Sequence, residues 1–455
     1  MTAAARDAID ALLARARRAG VQRVSFAAVD WNGRLRATQV PLAGAASALV
    51  EGLAVTTAIF APDSAERPIT SGYFHDPAHG YRDAWLRPDA AAARSDPWAD
   101  GGASLIVLGS LEGEFAGCCP RAMLEREVAA LARLGLRCDS AFELEYHVLN
   151  ETVASLREKV PARLDRLAAL ERMYSYVDQA VAAPLLDATR SAAAALEIPV
   201  HGLHAEFSGL LEVALGKASG VRAADDAALF KAVAKIVARR GGMLASFMAR
   251  LAEPFESAGA HLNLSLHRCD GEVAEFHAPE GRCSPALLGF LGGLQRHLPD
   301  LMLLLLPHLN SYKRYLGDSF APRTNSWGID NKTCAYRLVN HHAGVARLEC
   351  RVPGADVNPY LALTALLAAG RRGLEQALVP SAPVTGDAAA PDAPQAAPWP
   401  PDFAAAIAQW RRADFARETF GDLFVDAYAR TREWELEQLA KTVTDWEIRQ
   451  FAEGV

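Results

Sequence analysis

The chain has 455 residues, 51% of them hydrophobic and 22% charged, and a net charge of -7 at pH 7. Such a composition suits a globular protein with a sizeable core, and the length suggests two or three domains. The acidic balance argues against the basic footprint of a nucleic-acid binder, and the longest apolar run, Leu301 to Pro307, is far too short to span a bilayer.

The first twenty residues, MTAAARDAIDALLARARRAG, predict an amphipathic helix rather than a secretory leader. VSFAAVDWNGRLRATQVPL follows, with Asn32-Gly33 between two β-like runs, a hairpin signal. Residues 61 to 102 are rich in Pro, Gly, Asp and Arg and predict irregular loop; SLIVLGSLE, from Ser104, predicts a strand. A helix is expected over PRAMLEREVAALARLGL, with Pro120 in the first turn and Gly135 near the end. A domain boundary is expected near 105 to 120, dividing residues 1–110 from 111–455.

Further helices are expected over roughly 157–173, 178–196 and 224–241. FELEYHV, PVHGLHAEF, LLEVALG, AHLNLSLH and VARLECRV predict strands. Seven prolines between 379 and 401 predict a surface connection before the last helices, FVDAYARTREWELEQL and VTDWEIRQFAE. This irregular order of strands and helices gives an α+β class. The seven cysteines (118, 119, 138, 269, 283, 334 and 350) show no CxxC spacing, as expected of a reduced cytoplasmic protein.

Several of these strands carry chemistry on one face. Period-two alternation puts Glu143, Glu145 and His147 together, opposite Phe142, Leu144, Tyr146 and Val148. His261, Asn263, Ser265 and His267 likewise share a face, as do Arg347, Glu349 and Arg351. Glu206 and Glu212 flank Gly209. Any one such face is also what a wet antiparallel sheet looks like. Together, five acids and His261 could hold two or three hard divalent cations. Neighbouring arginines (Arg314, Arg337, Arg347, Arg351) suit carboxylate or phosphate groups. Metal carboxylates with arginines are the apparatus of phosphoryl transfer from a nucleotide, yet no P-loop or kinase signature is present.

The order ELE, AEF with a Glu six residues on, HLNLSL, NSYKRY from Asn310, and RLECRVPGADVNPYLALTALLAAG resembles the glutamine synthetase family. The likeness spans roughly residues 105 to 455 and is nearest to the branch that joins glutamate to amines other than ammonia, such as γ-glutamylpolyamine ligases. It implies a small N-terminal β-grasp domain, a larger catalytic domain on a curved antiparallel sheet, and a homo-oligomeric ring, hexamer or dodecamer, with sites between subunits. It implies ATP and two or three Mg²⁺ or Mn²⁺ ions per site: Glu145, Glu206 and Glu212 on one, Glu143, His261 and Glu349 on a second. Arg314 and Arg351 would grip the acid's carboxylate, with Glu145, Ser257 and Gly259 nearby. Arg337, Arg347, Asn263, Ser265 and Lys332 would face ATP. An Asp from a neighbouring subunit, for which Asp63 is the candidate, would help to bind the amine. The implied partners are small-molecule acids and amines, with no nucleic acid and no membrane.

The departures fall at the substrate end. The family's flap reads close to RLVPGYEAP, with a Glu that helps to deprotonate ammonium; here RYLGDSFAP puts Phe320 in its place. A phenyl ring accepts no proton but packs on apolar surface, which points to a larger amine than ammonia. Leu210 follows Gly209 where the family has Gln, and Glu256-Ser257-Ala258-Gly259 replaces N-G-S-G. Lys332 replaces an Arg, and Asn263 a second His, as in the amine-ligase branch. An ordinary glutamine synthetase and a catalytically weak structural homologue are the alternatives; Phe320 and Leu210 count against the first, the intact metal set against the second.

Overall fold

A computed structural model describes residues 3–60, 63, 66–67, 69, 76–99, 103–159, 163–167, 170–252, 255–271, 273–277, 283–316, 320–340 and 346–454. The N-terminal elements are α1 (Ala3–Arg18), β1 (Val21–Val29), β2 (Leu35–Pro41), α2 (Leu42–Glu51), β3 (Leu53–Thr56), β4 (Asp83–Ser95) and β5 (Ala103–Glu112). They form a sheet in the order β2-β1-β5-β4-β3, with β1 and β5 parallel and the other pairs antiparallel, the β-grasp arrangement. The Asn32-Gly33 turn joins β1 to β2. Gly33 has φ +77°, and a Cβ there would stand 3.3 Å from the Asn358 Cα, so both conformation and space require glycine.

β4 corrects the expectation of loop over residues 61–102. Its Ala84 and Leu86 alternate inward, while Asp, Arg and Ala disguise the strand in the sequence. Pro88 sits at a register shift against β5, where its missing N–H is tolerated.

The second sheet follows α3 (Pro120–Arg133). Its elements are β6 (Leu136–Leu149), α4 (Val153–Glu158), α5 (Tyr176–Val181), α6 (Ala183–Ala195), β7 (Val200–Ala205), β8 (Leu210–Leu215), β9 (Ala218–Ser219), α7 (Arg222–Arg240), β10 (Leu244–Ser246), β11 (Ala260–Arg268), α8 (Pro285–His297), α9 (Met302–Leu305), β12 (Trp327–Ile329), β13 (Tyr336–Val339) and β14 (Arg347–Cys350). The strand order is β12-β13-β14-β11-β6-β8-β7, with β9 and β10 also paired to β6. All these pairs are antiparallel except β12–β13. The helices α10 (Pro359–Glu375), α11 (Phe403–Arg412), α12 (Asp414–Phe420), α13 (Asp422–Ala440) and α14 (Asp445–Phe451) complete the chain.

Among the described residues, the helix expected over 157–173 is not formed. α4 ends at Glu158, and Arg166 bridges Leu149 instead. Buried Glu151 explains the turn back: it accepts from Ser155, Lys159 Nζ at 2.7 Å and the Asp165 N–H at 2.8 Å. The expected 178–196 helix is two, broken between α5 and α6 with Pro184 in the first turn of the second.

Phe142, Leu144, Tyr146 and Val148 are each at most 2% exposed, on the core side of β6. Each contributes about 1.5–3 kcal/mol of apolar burial. One continuous hydrophobic core joins both sheets. The NPY segment fastens them: Asn358 accepts from the Tyr360 and Leu361 N–H groups to cap α10, and its Nδ2 donates to the Asp30 carbonyl at 2.8 Å. No helix among the described residues is long and apolar enough to cross a membrane, and all seven cysteines are free thiols.

Candidate active site

Cross-strand register builds the site from one or two residues on each of six strands. Glu143 on β6 pairs with His261 on β11, and Glu145 with Glu212 on β8, which also pairs with His204 on β7. Asn263 and Arg337 pair with Glu349 on β14 from either side. Directly opposed side chains have Cβ atoms about 4.5–5.5 Å apart. The alternation that buries the apolar faces therefore sets the polar ones in adjoining rows.

Two clusters result. Glu143, His261 and Glu349 each offer an atom within 4.8 Å of the others. His261 Nδ1 lies 3.5 Å from Glu349 Oε1 and 3.7 Å from Glu143 Oε2, while Nε2 lies 3.8 Å from Glu145 Oε1. These are too long for hydrogen bonds but suit ligands of one ion, which lie about 3–4.2 Å apart around a centre ~2.1 Å from each. His261 is 4% exposed, and neither ring nitrogen has a hydrogen-bond partner among the described residues. A buried imidazole so placed, with oxygen donors around it, fits a divalent cation.

The second cluster is His204, Glu206 and Glu212. The expected trio of Glu145, Glu206 and Glu212 is not grouped in this way. Glu145 Oε2 instead accepts the Gly259 N–H at 2.5 Å. The Glu206 N–H donates to the Leu210 carbonyl at 2.7 Å, closing a turn in which Gly209 has φ +77°. Leu210 is buried at the start of β8.

Charge is strongly structured here. Burial alone would push the Glu143 carboxyl up, but His261, Asn263 and Arg347 hold it down at about 2. Glu349 is also held low against its burial, by His261 and Arg351. Burial and the charge of Glu145 push Glu212 up. Such divergent carboxyls in one place are characteristic of sites built to hold cations or move protons.

The arginines stand around these clusters. Arg351 donates to Glu349 Oε1 at 2.5 Å, and Arg337 to Glu349 Oε2 at 2.9 Å and to Asp330. Buried Arg314 reaches Ser257 Oγ at 3.5 Å and the Arg351 carbonyl at 3.3 Å, with its guanidinium against Gly259. Arg347 donates to Asn263 Oδ1 at 3.0 Å, and Asn263 in turn to Glu143. Ser265 is tied to the Ala346 carbonyl. Lys332 is exposed in the turn between β12 and β13, and Phe320 is 77% exposed. Of the flap, residues 317–319 lie outside the described residues, as do His341 and His342. The Asp63 carboxylate is held within its own chain by Arg67 Nε at 2.6 Å.

Two residues gain meaning only from the structure. His147 is fully buried, and its Nε2 lies 3.0 Å from the Glu256 carbonyl, positioning the loop ahead of Gly259. Tyr174 stacks on His204 with ring centroids 4.1 Å apart and planes 25° apart. Tyr174 lies between the helices expected over 157–173 and 178–196, and its left-handed backbone (φ +54°) has no signal in the sequence.

A model of the glutamine synthetase catalytic domain matches residues 117–451. A glutamate–isopropylamine ligase from a Pseudomonas species is 30% identical over 439 residues, 95% of each chain. The γ-glutamylethanolamide synthetase GlnA4 of Streptomyces coelicolor is 35% identical over 381 residues, 82% of this chain and 80% of that one. In fold, the structure of a GmaS/ADP complex superposes with a TM-score of 0.83 at 23% identity, covering 97% of this chain and 99% of the other. The chain belongs to the glutamine synthetase family and is a carbon–nitrogen ligase.

Proposed function

We propose that the chain is an ATP-dependent ligase that phosphorylates the γ-carboxyl of L-glutamate and couples it to an amine other than ammonia. The products are a γ-glutamyl amide, ADP and phosphate. The observation that carries this reading is the pair of adjoining carboxylate–imidazole clusters ringed by arginines. Bound Mg²⁺ or Mn²⁺, two or three ions held by Glu143, His261 and Glu349 and by Glu145, Glu206 and Glu212, would neutralise phosphate charge during transfer.

The chain's own groups do the rest. Arg314 and Arg351 orient the acid, beside Ser257 and Gly259. Arg337, Arg347 and Lys332 meet the nucleotide phosphates, and Asn263 and Ser265 fix the wall of that site. Attack by the amine nitrogen on the acyl phosphate forms the C–N bond and expels phosphate. Water must be kept out of this step. Phe320 offers apolar surface, and buried Leu210 leaves no polar group, where a charged or polar side chain would favour ammonium, which supports an alkyl-bearing amine. The names of the two relatives, which act on isopropylamine and ethanolamine, agree with that choice. On this reading residues 1–110 and 111–455 are two domains of a cytoplasmic ring. Asp63 faces a neighbouring subunit's site.

Phosphate release from ATP, Mg²⁺ and glutamate across a panel of amines tests the reading. An organic amine should exceed ammonia, and Phe320→Glu should raise the ammonia rate by roughly 100-fold, the low end of what one acid–base group contributes. Ammonia outrunning every organic amine would sink the substrate assignment, and no release with any pair would sink the ligase.

A further inference from the structure

We propose that His147 is a positioning residue for the acid substrate: through the Glu256 carbonyl it fixes the loop 255–259, whose Ser257 meets Arg314. This rests on the ligase reading and deepens it with a residue that acts only through its neighbours. His147 lies on β6 between Leu210 of β8 and Ser246 of β10, and it is 0% exposed. Burying an imidazole costs free energy unless its polar atoms are paired. Its Nδ1 has no hydrogen-bond partner among the described residues, and Leu210 offers no polar group. The contact that offsets the burial is Nε2 to the Glu256 carbonyl, at 3.0 Å. A carbonyl only accepts, so the proton sits on Nε2.

That one bond completes a second anchor for the loop. Glu145 holds Gly259 from both sides: its Oε2 accepts the Gly259 N–H, and its own N–H donates to the Gly259 carbonyl at 2.9 Å. His147 holds Glu256 from two residues further along the same face of β6, roughly 7 Å away. Between the two anchors lies Ser257, 7% exposed, whose Oγ is 3.5 Å from Arg314 Nη1. The ring also meets Phe255 edge-on, with centroids 5.4 Å apart, and the Arg166 guanidinium lies 5.3 Å from the Phe255 ring centroid. The loop is thus packed at Phe255 and bonded at Glu256 and Gly259. Release of the middle contact frees Ser257 to shift against Arg314 while Glu145 stays in place.

The test uses the full chain and measures KM for L-glutamate, ATP and the amine in His147→Gln, His147→Asn and His147→Phe. Gln can set an amide N–H where Nε2 lies, Asn is one methylene shorter, and Phe fills the space with no donor. The glutamate KM should rise roughly tenfold in the Asn and Phe variants, the scale of one buried carbonyl left unpaired. It should stay within about threefold of native in His147→Gln, with the ATP KM near native throughout. A role in folding alone would lower the active fraction and hence kcat, leaving every KM unchanged; that result overturns the proposal, as does an equal rise in the Gln and Phe variants. Should the Phe variant not fold, the other two decide, and equal glutamate KM values in them overturn it. Calorimetry of glutamate binding with Mg²⁺ and ADP present needs no turnover and separates the two failures. A native chain that releases no phosphate with any amine sinks the ligase reading, whereas glutamate bound equally by the native chain and His147→Asn sinks only the role of His147.

Discussion

Gly259→Ala tests Arg314, the arginine proposed to bind the acid, without replacing it. The Gly259 backbone is not left-handed, so alanine brings no conformational penalty there. Its Cβ, however, would stand 2.6 Å from Arg314 Nη2, 3.0 Å from Cζ and 3.1 Å from Nη1. Ordinary contact begins at 3.4 Å, so the guanidinium must retreat by roughly 0.8 Å. Arg314 is 3% exposed and wedged between Ser257 and the Arg351 carbonyl, so this retreat moves the fork proposed to grip the acid. A hydrogen bond to a charged group contributes about 1.5–3 kcal/mol. Losing one should therefore raise the KM for the acid roughly 10- to 150-fold while the KM for ATP stays near native. Initial rates of phosphate release with each substrate varied would measure this. Gly202→Ala serves as the control, since its Cβ meets only the Ala214 methyl at 3.9 Å. An acid KM within about twofold of native would refute Arg314 as the acid's partner, or show that it yields freely.

Two further outcomes can be read from melting temperatures. Glu143, Glu145, Glu206, Glu212 and Glu349 crowd one region, so Mg²⁺ or Mn²⁺ at about 100 times its Kd should stabilise the chain by about 2.7 kcal/mol. EDTA should reverse the rise in Tm, and Glu349→Gln should remove most of it; an identical shift in the variant would remove Glu349 from the metal set. Away from the site, burial pushes Asp226 up from 3.8 to about 6 despite Arg222. The native state then keeps a proton that the unfolded chain has lost, so stability falls as pH rises from about 3.8 to 6 and is flat above. The loss is of the order of 3 kcal/mol. Asp226→Asn should lack this fall, and parallel Tm curves for the two proteins between pH 4 and 7 would show that Asp226 titrates normally.

The catalytic sheet was legible because its pattern is local. FELEYHV, HLNLSLH and ARLECRV each alternate without interruption, and their apolar side chains are all buried; so are His147, His261, Asn263, His267, Glu349 and Arg351 on the polar faces. Reading failed where a polar contact overrode periodicity. The helical pattern past Glu158 lost to the buried Glu151 carboxylate, whose partners Ser155, Lys159 and Asp165 turn the chain back. β4 was missed because its strand-forming signal is Ala-rich and holds a proline, and only its pairing with β3 and β5 makes it a strand.

Candidate ligands could be named from sequence order, but their grouping could not, because grouping depends on register between strands far apart in the chain. A shift of one residue between β7 and β8 would turn His204 away from Glu212, and no local feature of either strand forbids it. The pairing of His204 with Glu212, and of Glu212 with Glu145, is fixed by the short turn at Phe207–Gly209 and by the long shared edge of β6 and β8. Once that register is set, Glu145 and His204 flank Glu212 on either side. The hydrogen bond from Gly259 draws Glu145 to one side, and the stack on Tyr174 holds His204 on the other. The same Gly259 also gives Arg314 its room, so one small residue meets both Glu145 and Arg314. The departures from the family pattern fall in loops such as 255–259 and the flap, which carry no periodicity, while Glu143, Glu145, Glu212, His261 and Glu349 sit on strands, which do.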